Sequence, residues 1–300
     1  MKPNYLNEKV VLISGSSMGI GKAIAIELAS YGAKIVLNGR DTEKLQQTKS
    51  DLKAKGYDVI AVPADIRNTV ECKKLINKAI GHYQKLDILI NNAAVSSRGS
   101  IEHMAETNFM ILAETNFLGS AYLCKYAIPH LKKTEGHIIC INSVGSFRGM
   151  PFNSAYSSTK MAQAALADAL RIELYGYGIH VGIAHVGFTE NDPRKIILDV
   201  DGSWVYLPKR TNIKLAKREA VAKSIRLMII KRKHKITLTG LGKLTSFATR
   251  YLPGFSYLML LLNRHIIEKQ FTLIGGEKVT LKNPLLKKAK GVISTVEVKN

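Results

Sequence analysis

The chain has 300 residues, 46% of them hydrophobic, and a formal net charge of +21. This composition is enough for a sizeable core and excludes wholesale disorder. The longest late apolar run, YLMLLL, and the apolar run near the N-terminus are too short for a membrane-spanning helix or a signal peptide, so we expect a chain that does not cross a membrane.

Cysteine usage and charge narrow the surroundings further. The three cysteines, Cys72, Cys124 and Cys140, have neither paired nor metal-ligand spacing, which favours reduced, buried thiols in a cytoplasmic protein and no metal site. Much of the positive charge follows residue 205. Such a surface suits an anionic membrane, a nucleic acid or no dedicated partner. Because aromatic residues are not interleaved with these charges, we do not expect a nucleic-acid partner.

Short apolar runs alternate with helical patterns up to about residue 190. The predicted strands are KVVLISG, KIVLNGR, DVIAVPAD, LDILINNAA, GHIICINS and IHVGIAHVG. Helical spacing occupies segments between them, such as GKAIAIELASYGA and TVECKKLINKAIGHYQ. This alternation predicts an α/β fold of the Rossmann type, a doubly wound parallel sheet in a single domain with a helical C-terminal extension.

The later part of the chain has a different pattern. EAVAKSIRLMIIKRK predicts a helix and HKITLTG a strand, and two apolar-faced helical segments follow, separated by Pro253 and Gly254. The apolar positions are Leu241, Leu244, Ala248, Tyr251 and Leu252 in the first segment, and Phe255, Leu258, Met259, Leu262 and Ile266 in the second. Such faces pack against a core, a second subunit or a membrane surface.

Three glycines mark the passage from the first strand to the first helix. Gly15, Gly19 and Gly21 have the spacing G-x-x-x-G-x-G. Glycine allows the backbone to turn sharply and to approach a pyrophosphate, and the N–H groups of the following helix favour its charge. At the end of the next strand, Arg40 suits the 2′-phosphate of NADP(H), although Asp41 follows it directly.

The stretch SAYSSTK, residues 154–160, places Tyr156 four positions before Lys160. On a helix these two side chains share a face. An ammonium beside a phenol favours the phenolate and lowers its pKa from about 10 toward neutral pH, which predicts an acid–base group. Such pairs also occur on exposed helices that have no chemistry, so the pair needs supporting residues.

Further motifs supply that support. They are SGSSMGIG at the glycine loop, Ala64 and Asp65 after the third strand, NNAA at Asn91 to Ala94, ETNFLGSAYL with Asn116, and Ser143 thirteen positions before Tyr156. Together they resemble the short-chain dehydrogenase/reductase family, from about Lys9 to Asp192. Two positions depart from the family pattern: Ala94 replaces a glycine, and Val186 replaces a proline before the retained Gly187 and Thr189.

The resemblance implies a set of roles. Tyr156 would be the acid–base group, Ser143 would bind the substrate oxygen, Lys160 would bond the nicotinamide ribose, and Asn116 would hold a relay water. Asp65 would contact the adenine. The implied NADP(H)-binding residues are Gly15, Ser17, Gly19, Ile20, Gly21, Arg40, Asp65, Ile66, Asn92, Ala93, Ala94, Tyr156, Lys160, Val186, Gly187 and Thr189. His180 and His185, on a predicted buried strand, are expected to be packed or hydrogen-bonded instead of catalytic.

The implied organisation is a catalytic domain over 1–235 with a substrate loop at about 188–210, amphipathic helices over 236–270 and a basic tail over 271–300. The helical part resembles the tails of membrane-associated relatives that reduce steroid, retinoid or lipid ketones. Positions 241–267 could therefore lie on a membrane surface, or pack on the chain's own core or on a second subunit. The sequence leaves these alternatives open.

The resulting expectation is an NADP(H)-dependent oxidoreductase that interconverts a ketone and a secondary alcohol on a hydrophobic, lipid-, steroid- or ketosphinganine-like substrate. The alternative is a catalytically silent nucleotide-binding protein at a membrane surface. The family resemblance also implies a homodimer or homotetramer. We expect it in the cytoplasm, with the inner face of a membrane as the alternative location.

Overall fold

The computed structural model describes residues 4–207 and 215–272. The strands are β1 (Val10–Ile13), β2 (Lys34–Gly39), β3 (Val59–Pro63), β4 (Ile88–Asn91), β5 (His137–Ser143), β6 (His180–Val186), β7 (Ile196–Leu198), β8 (Trp204–Tyr206) and β9 (Lys235–Thr237). The helices are α1 (Gly19–Ala29), α2 (Thr42–Lys53), α3 (Thr69–Tyr83), α4 (Glu106–Ala113), α5 (Gly119–Thr134), α6 (Ser154–Glu173), α7 (Arg218–Ile230), α8 (Gly240–Tyr251), α9 (Pro253–Leu262) and α10 (Arg264–Thr272).

Seven of the strands form one parallel sheet in the order β3-β2-β1-β4-β5-β6-β9. All neighbouring strands in it run parallel. The predicted doubly wound α/β fold is therefore confirmed. The strand order reverses between β1 and β4, and folds of this kind bind ligands at such a reversal, beyond the carboxyl ends of the strands.

The first strand shows how the core forms on both faces of the sheet. Val11 and Ile13 pack in a cluster with residues of α1, α2 and α7, whereas Val10 and Leu12 pack with α3, α5 and α6. Successive side chains of a strand point to opposite faces. An unbroken apolar run such as VVLI therefore fills both helix layers, as expected for a sheet covered on both sides.

Two features refine the predicted organisation after β6. The predicted substrate loop contains an antiparallel hairpin, β7–β8, in which Leu198 pairs with Trp204. Its last predicted positions, 208–210, and the basic tail beyond 272 lie outside the described residues. The boundary predicted at 235 falls within β9, which pairs with β6 and belongs to the main sheet.

The two predicted amphipathic segments form three helices, α8 to α10, because the helical path is interrupted at Leu252 and again at Asn263. Their large apolar side chains are exposed: Leu244 is 63% and Leu262 66% accessible. The described chain thus does not bury this apolar surface against its own core. No helix within residues 4–207 and 215–272 combines the length and apolarity needed to span a bilayer.

Three histidines are buried at the two ends of β5 and β6. His137 and His180 start the two strands, and their Nδ1 atoms are 2.9 Å apart. His185, near the end of β6, lies 2.9 Å from Ser146 Oγ through its Nδ1 atom. The hydrogen-bonded role predicted for His180 and His185 is confirmed. Burial lowers the pKa of His137 to about 3 and those of His180 and His185 to about 4.

These shifts predict a pH-dependent stability. Above pH 6.5 the three rings are neutral in both states, but as the pH falls below 6.5 only the unfolded chain takes up their protons. The free energy of unfolding should therefore fall by about 1.4 kcal/mol per pH unit for each of these histidines between pH 6.5 and about 4. Urea denaturation between pH 7 and pH 5 measures this slope.

The slope can be assigned by substitution. His180→Asn should lower the slope by about one proton, whatever it does to absolute stability, whereas His103→Asn, at an exposed position, should leave it unchanged. An identical slope in His180→Asn and the unmodified chain would show that His180 is not the group responsible.

Candidate active site

The glycine loop between β1 and α1 is closed toward the protein and open on its other side. A Cβ atom at Gly21 would lie 2.4 Å from Gly15 O, and one at Gly15, where φ is +63°, would lie 2.8 Å from Ala93 Cα. A Cβ atom at Gly19, where φ is +58°, would meet nothing within 4 Å. The open side lies at the N-terminus of α1, so the loop fits a pyrophosphate.

Two further residues of the loop have structural contacts. Ser17 lies against the end of β2, where its Oγ would be 3.2 Å from a Cβ at Gly39, and its carbonyl accepts a bond from Thr48 Oγ1 at 2.9 Å. Ile20 packs against the core cluster beneath α1. These contacts fix the loop between β1, β2 and α2.

The end of β4 is bonded directly to this loop. Asn92 Nδ2 donates to the carbonyls of Ser14 and Gly15, both at 2.9 Å. In return, Ser14 Oγ accepts from the backbone N–H groups of Asn92 at 3.0 Å and Ala93 at 3.1 Å. Ala94 is exposed, so the methyl group that replaces the family's glycine is not wedged into the loop.

Arg40 and Asp41, which are adjacent in the sequence at the end of β2, have different surroundings. The Asp41 carboxylate caps α2, accepting from Lys44 N at 3.1 Å and pairing with Lys44 Nζ at 3.0 Å. Arg40 is partly buried, and burial lowers its pKa. Asp41 is therefore committed to the helix, and Arg40 is the cation at the end of β2.

Asp65, expected at the adenine, has partners of its own. Arg67 donates to its carboxylate through Nε at 2.9 Å and Nη2 at 2.6 Å, and the Asp65 backbone N–H donates to Glu71 at 2.7 Å. Although burial opposes it, the hydrogen bonds from Arg67 and the charge of Arg40 hold the pKa of Asp65 below its usual value. The adjacent Ile66 is buried against Gly119. Arg67 is a second cation at this end that the sequence analysis missed.

Asn116 lies in a turn of π-helix, Glu114–Leu118, that joins α4 to α5. Its side chain is fully buried and binds the backbone of Val95 in both directions, accepting from N at 2.8 Å and donating to O at 2.9 Å. It also donates to Thr159 Oγ1 at 3.0 Å. Local π turns occur often at functional sites, and here the turn links the β4 loop to α6.

Ser143 and Tyr156 both lie beside Gly145. A Cβ atom at Gly145 would lie 3.4 Å from Ser143 Oγ and 3.9 Å from Tyr156 Cε1. Ser143 ends β5, and its Oγ accepts from Gly145 N at 3.1 Å, which leaves the hydroxyl proton to donate elsewhere. The Ser143 hydroxyl and the edge of the phenol ring thus both lie close to Gly145, after the end of β5.

Lys160 follows Tyr156 by one turn of α6 and is only 2% accessible. Its ammonium donates to Ile141 O at 3.1 Å and to Gln163 Oε1 at 3.2 Å. Burial lowers the pKa of Lys160 to about 8. The cation is therefore fixed beside the end of β5, at Ile141, which precedes Ser143 by two residues.

The segment after β6 completes the strand-end crevice. Val186 is buried and pairs with Ser143 across the sheet. A Cβ atom at Gly187 would lie 2.3 Å from Thr239 Oγ1, so only glycine fits there. Thr189 Oγ1 donates to Gly187 O at 3.1 Å. The loop that would face the nicotinamide is therefore in contact with the residue that caps α8.

An apolar cluster borders the Tyr156 ring. Its buried members are Val95, Met104, Ile111, Leu112, Ala155 and Leu198, and Phe109, Tyr156 and Trp204 pack against it. The β7–β8 hairpin is held there by bonds from Leu198 N to Ser96 O at 2.9 Å and from Ala105 N to Val200 O at 2.7 Å. The catalytic candidates thus lie beside an apolar wall.

Comparison with known proteins agrees with this geometry. The profile of the short chain dehydrogenase family matches residues 9–198. The chain belongs to the short-chain dehydrogenase family. The relatives that match this chain are dehydrogenases and reductases. The chain is accordingly an oxidoreductase that acts on CH–OH and C=O groups with a nicotinamide cofactor.

Individual relatives cover different shares of the chain. Dehydrogenase/reductase SDR family member 7B of Danio rerio is 31% identical over 270 residues, covering 88% of this chain and 87% of that protein. 11-beta-hydroxysteroid dehydrogenase-like 2 of Arabidopsis thaliana is 38% identical over 186 residues, or 61% and 60% of the two chains. An alcohol dehydrogenase of the archaeon Thermococcus sibiricus, complexed with 5-hydroxy-NADP, superposes with a TM-score of 0.68 at 24% identity, over 77% of this chain and 96% of that one.

Proposed function

We propose that this short-chain dehydrogenase is an NADP(H)-dependent oxidoreductase that interconverts a ketone and a secondary alcohol on a hydrophobic substrate. The proposal depends chiefly on one observation: Ser143 Oγ and the Tyr156 ring converge within 4 Å of a common point beside Gly145. Lys160, whose cation is buried, follows Tyr156 by one helical turn, and the open glycine loop lies at the same edge of the sheet. An acid–base phenol, an oxygen-binding hydroxyl and a phosphate loop are the parts that carbonyl reduction needs.

Each of these residues has a distinct task. When bound, the nicotinamide would supply or accept the hydride at the substrate carbon. Ser143 would donate a hydrogen bond to the substrate oxygen and stabilise its developing negative charge. Tyr156 would give its phenolic proton to that oxygen in reduction and remove it in oxidation. The Lys160 ammonium favours the phenolate that remains, and Asn116 would hold the relay water predicted for it.

The residues at the adenosine end support NADP(H) over NAD(H). Asp41 caps α2 and is bonded to Lys44, so its carboxylate is occupied. Arg40 and Arg67 place two guanidinium groups around Asp65, and arginine suits a 2′-phosphate. The resemblance to a structure complexed with 5-hydroxy-NADP agrees with this preference.

The apolar wall beside Tyr156 supports a hydrophobic substrate. Phe109 and Trp204 flank a cluster without charged members, which would bury an alicyclic or long-chain ketone well. The names of several relatives refer to hydroxysteroid dehydrogenation. A steroid-like or lipid-like ketone is therefore the substrate class we propose.

We further propose peripheral contact with a membrane through positions 241–267. Exposed apolar side chains of α8 and α9 are interleaved with Lys243 and Arg250, the pattern of an interfacial helix. The same helices are joined to the site: Gly187 touches Thr239, and Arg148 Nη1 donates to Pro253 O at 3.0 Å. Substrate dissolved in a bilayer would then enter next to the catalytic residues. A homodimer or homotetramer in the cytoplasm stays a prediction of the family resemblance.

The central test is Tyr156→Phe. Removing the phenolic proton should reduce turnover of a steroid or long-chain ketone by about 100-fold or more. NADPH binding, which the other cofactor-binding residues also support, should weaken by less than about tenfold in a fluorescence titration. Tyr175→Phe, at an 82% exposed tyrosine, is the matched control and should retain full activity. Full-speed turnover in Tyr156→Phe would refute the proposed chemistry, and cofactor binding without turnover in the unmodified chain would favour the silent nucleotide-binding alternative.

The cofactor preference can be measured separately. In Arg40→Ala, loss of a charge-assisted contact to the 2′-phosphate should weaken NADPH binding by about 10- to 100-fold and leave NADH binding unaltered. Calorimetry with both cofactors measures the two dissociation constants. Arg250→Ala removes an arginine on α8 and should change neither. Equal affinity of the unmodified protein for NADH and NADPH would contradict the preference.

The membrane contact predicts binding to vesicles. Replacing Leu244 and Leu262 together by glutamate should reduce co-sedimentation with phosphatidylcholine/phosphatidylglycerol vesicles by about tenfold or more, because two apolar side chains no longer insert. Ile172→Glu is the control, since Ile172 is 78% exposed but lies on α6. If the full chain fails to bind such vesicles and the double variant instead loses a dimer in gel filtration, the surface is a subunit interface.

A further inference from the structure

Gln163 lies on α6 almost one turn beyond Lys160 and is fully buried. Its amide oxygen accepts from Lys160 Nζ at 3.2 Å and from Asn142 Nδ2 at 3.1 Å. Its amide nitrogen donates to Ser120 Oγ at 2.8 Å. Because both ends of the amide have partners, the orientation in which the oxygen faces the ammonium is the one that satisfies the group.

This amide is a principal partner of a buried charge. Among the residues that the structure describes, Gln163 has the side chain that accepts a hydrogen bond from Lys160, and the backbone carbonyl of Ile141 is the other acceptor. An ammonium removed from water is costly unless it is hydrogen-bonded. The Gln163 oxygen therefore stabilises the charged form of Lys160 at the position where the structure places it.

The bonds of Gln163 also join three parts of the site. Asn142 donates to Gln163 and, at 2.8 Å, to the carbonyl of Lys160, which ties the end of β5 to α6. Ser120 connects Gln163 to α5, immediately after the π turn that holds Asn116. A change at Gln163 is therefore transmitted to Lys160 more directly than to Ser143 or Tyr156.

We propose that Gln163 is the positioning residue of Lys160: it holds the ammonium beside the end of β5 and keeps it protonated at neutral pH. The catalytic consequence rests on the proposed function, in which the charge on Lys160 favours the Tyr156 phenolate. The hydrogen bond between Gln163 and Lys160 does not itself depend on that function.

The other groups around Lys160 make the role of a neutral acceptor decisive. Burial, together with the charge of Lys195, lowers the pKa of Lys160 to about 8, and only an ionised Cys140 would oppose this shift. Burial raises the pKa of the Cys140 thiol to about 11, so it is uncharged at neutral pH. Tyr156 precedes Lys160 by one turn of α6. No described carboxylate forms an ion pair with Lys160, so the acceptor at Gln163 has few competitors.

Two substitutions of similar size test this role in opposite directions. Gln163→Glu places a carboxylate against the ammonium and should raise the titration midpoint of Lys160 by about one to three pH units. Gln163→Met keeps the length but removes the acceptor, so the midpoint should fall. The midpoint is read from the ¹³Cε resonance of Lys160 in ¹³C-lysine-labelled, cofactor-free full chain, with the resonance assigned by its loss in Lys160→Met.

A purely structural role would not produce opposite shifts. Gln46→Glu, which adds the same charge at an exposed position of α2, is the control and should leave the Lys160 midpoint where it is. Thermal unfolding of each variant establishes that the titration is read on folded protein. Midpoints that stay unchanged in both Gln163 variants, or move in the same direction in both, would overturn the proposal.

The enzymatic consequence is measured independently. If the charge on Lys160 assists Tyr156, the high-pH limb of alcohol oxidation, at which Lys160 loses its proton, should move upward in Gln163→Glu and downward in Gln163→Met, following the two titration midpoints. Opposite midpoint shifts without any turnover in the unmodified chain would uphold the role of Gln163 and refute the proposed function. Turnover that depends on Tyr156, with unchanged Lys160 midpoints in both Gln163 variants, would uphold the proposed function and refute the role of Gln163.

Discussion

The hydrogen bonds between Asn92 and the first glycine loop are the constraint on which the site depends. They cross from β4 to β1, the pair of strands between which the sheet order reverses. Once Asn92 holds Ser14 and Gly15, Ala93 lies so close to Gly15 that a side chain there is excluded. The loop must then present its open side outward at the N-terminus of α1.

Buried polar side chains are the second feature that shapes the carboxyl edge of the sheet. Asn116, Asn142 and Gln163 are each at most 3% accessible, yet each makes hydrogen bonds to backbone or side chains of a different element. Buried amides without partners are costly. Here Gln163 takes the place of water around the Lys160 ammonium, while Asn142 and Asn116 satisfy backbone groups of α6 and of the loop after β4.

Local patterns were sufficient to predict the strands, the glycine loop and the Tyr156–Lys160 spacing, because each depends on residues within a few positions of one another. Side-chain contacts that depend on the three-dimensional geometry could not be predicted in this way. The pairing of Asp65 with Arg67 was missed because several charged residues lie within a few positions of Asp65, and only the geometry decides which of them it binds. The role of Gln163 was missed because its hydrogen-bond partners Ser120 and Asn142 are distant in the sequence. The hairpin β7–β8 has strands of only three residues each, too short for a period of two to stand out.

The link between the site and α8 explains a strained residue. Thr239 has φ at +76°, a conformation unfavourable for a β-branched side chain. Its hydroxyl caps α8 by accepting from Gly242 N at 3.1 Å, and it fills the space beside Gly187 that a Cβ there would occupy. Gly242 is in turn pressed against Val144, next to Ser143. Strain of this kind persists only where surrounding contacts determine it. Since those contacts come from α8 and from the ends of β5 and β6 together, the exposed apolar helices begin at a fixed point beside the candidate site.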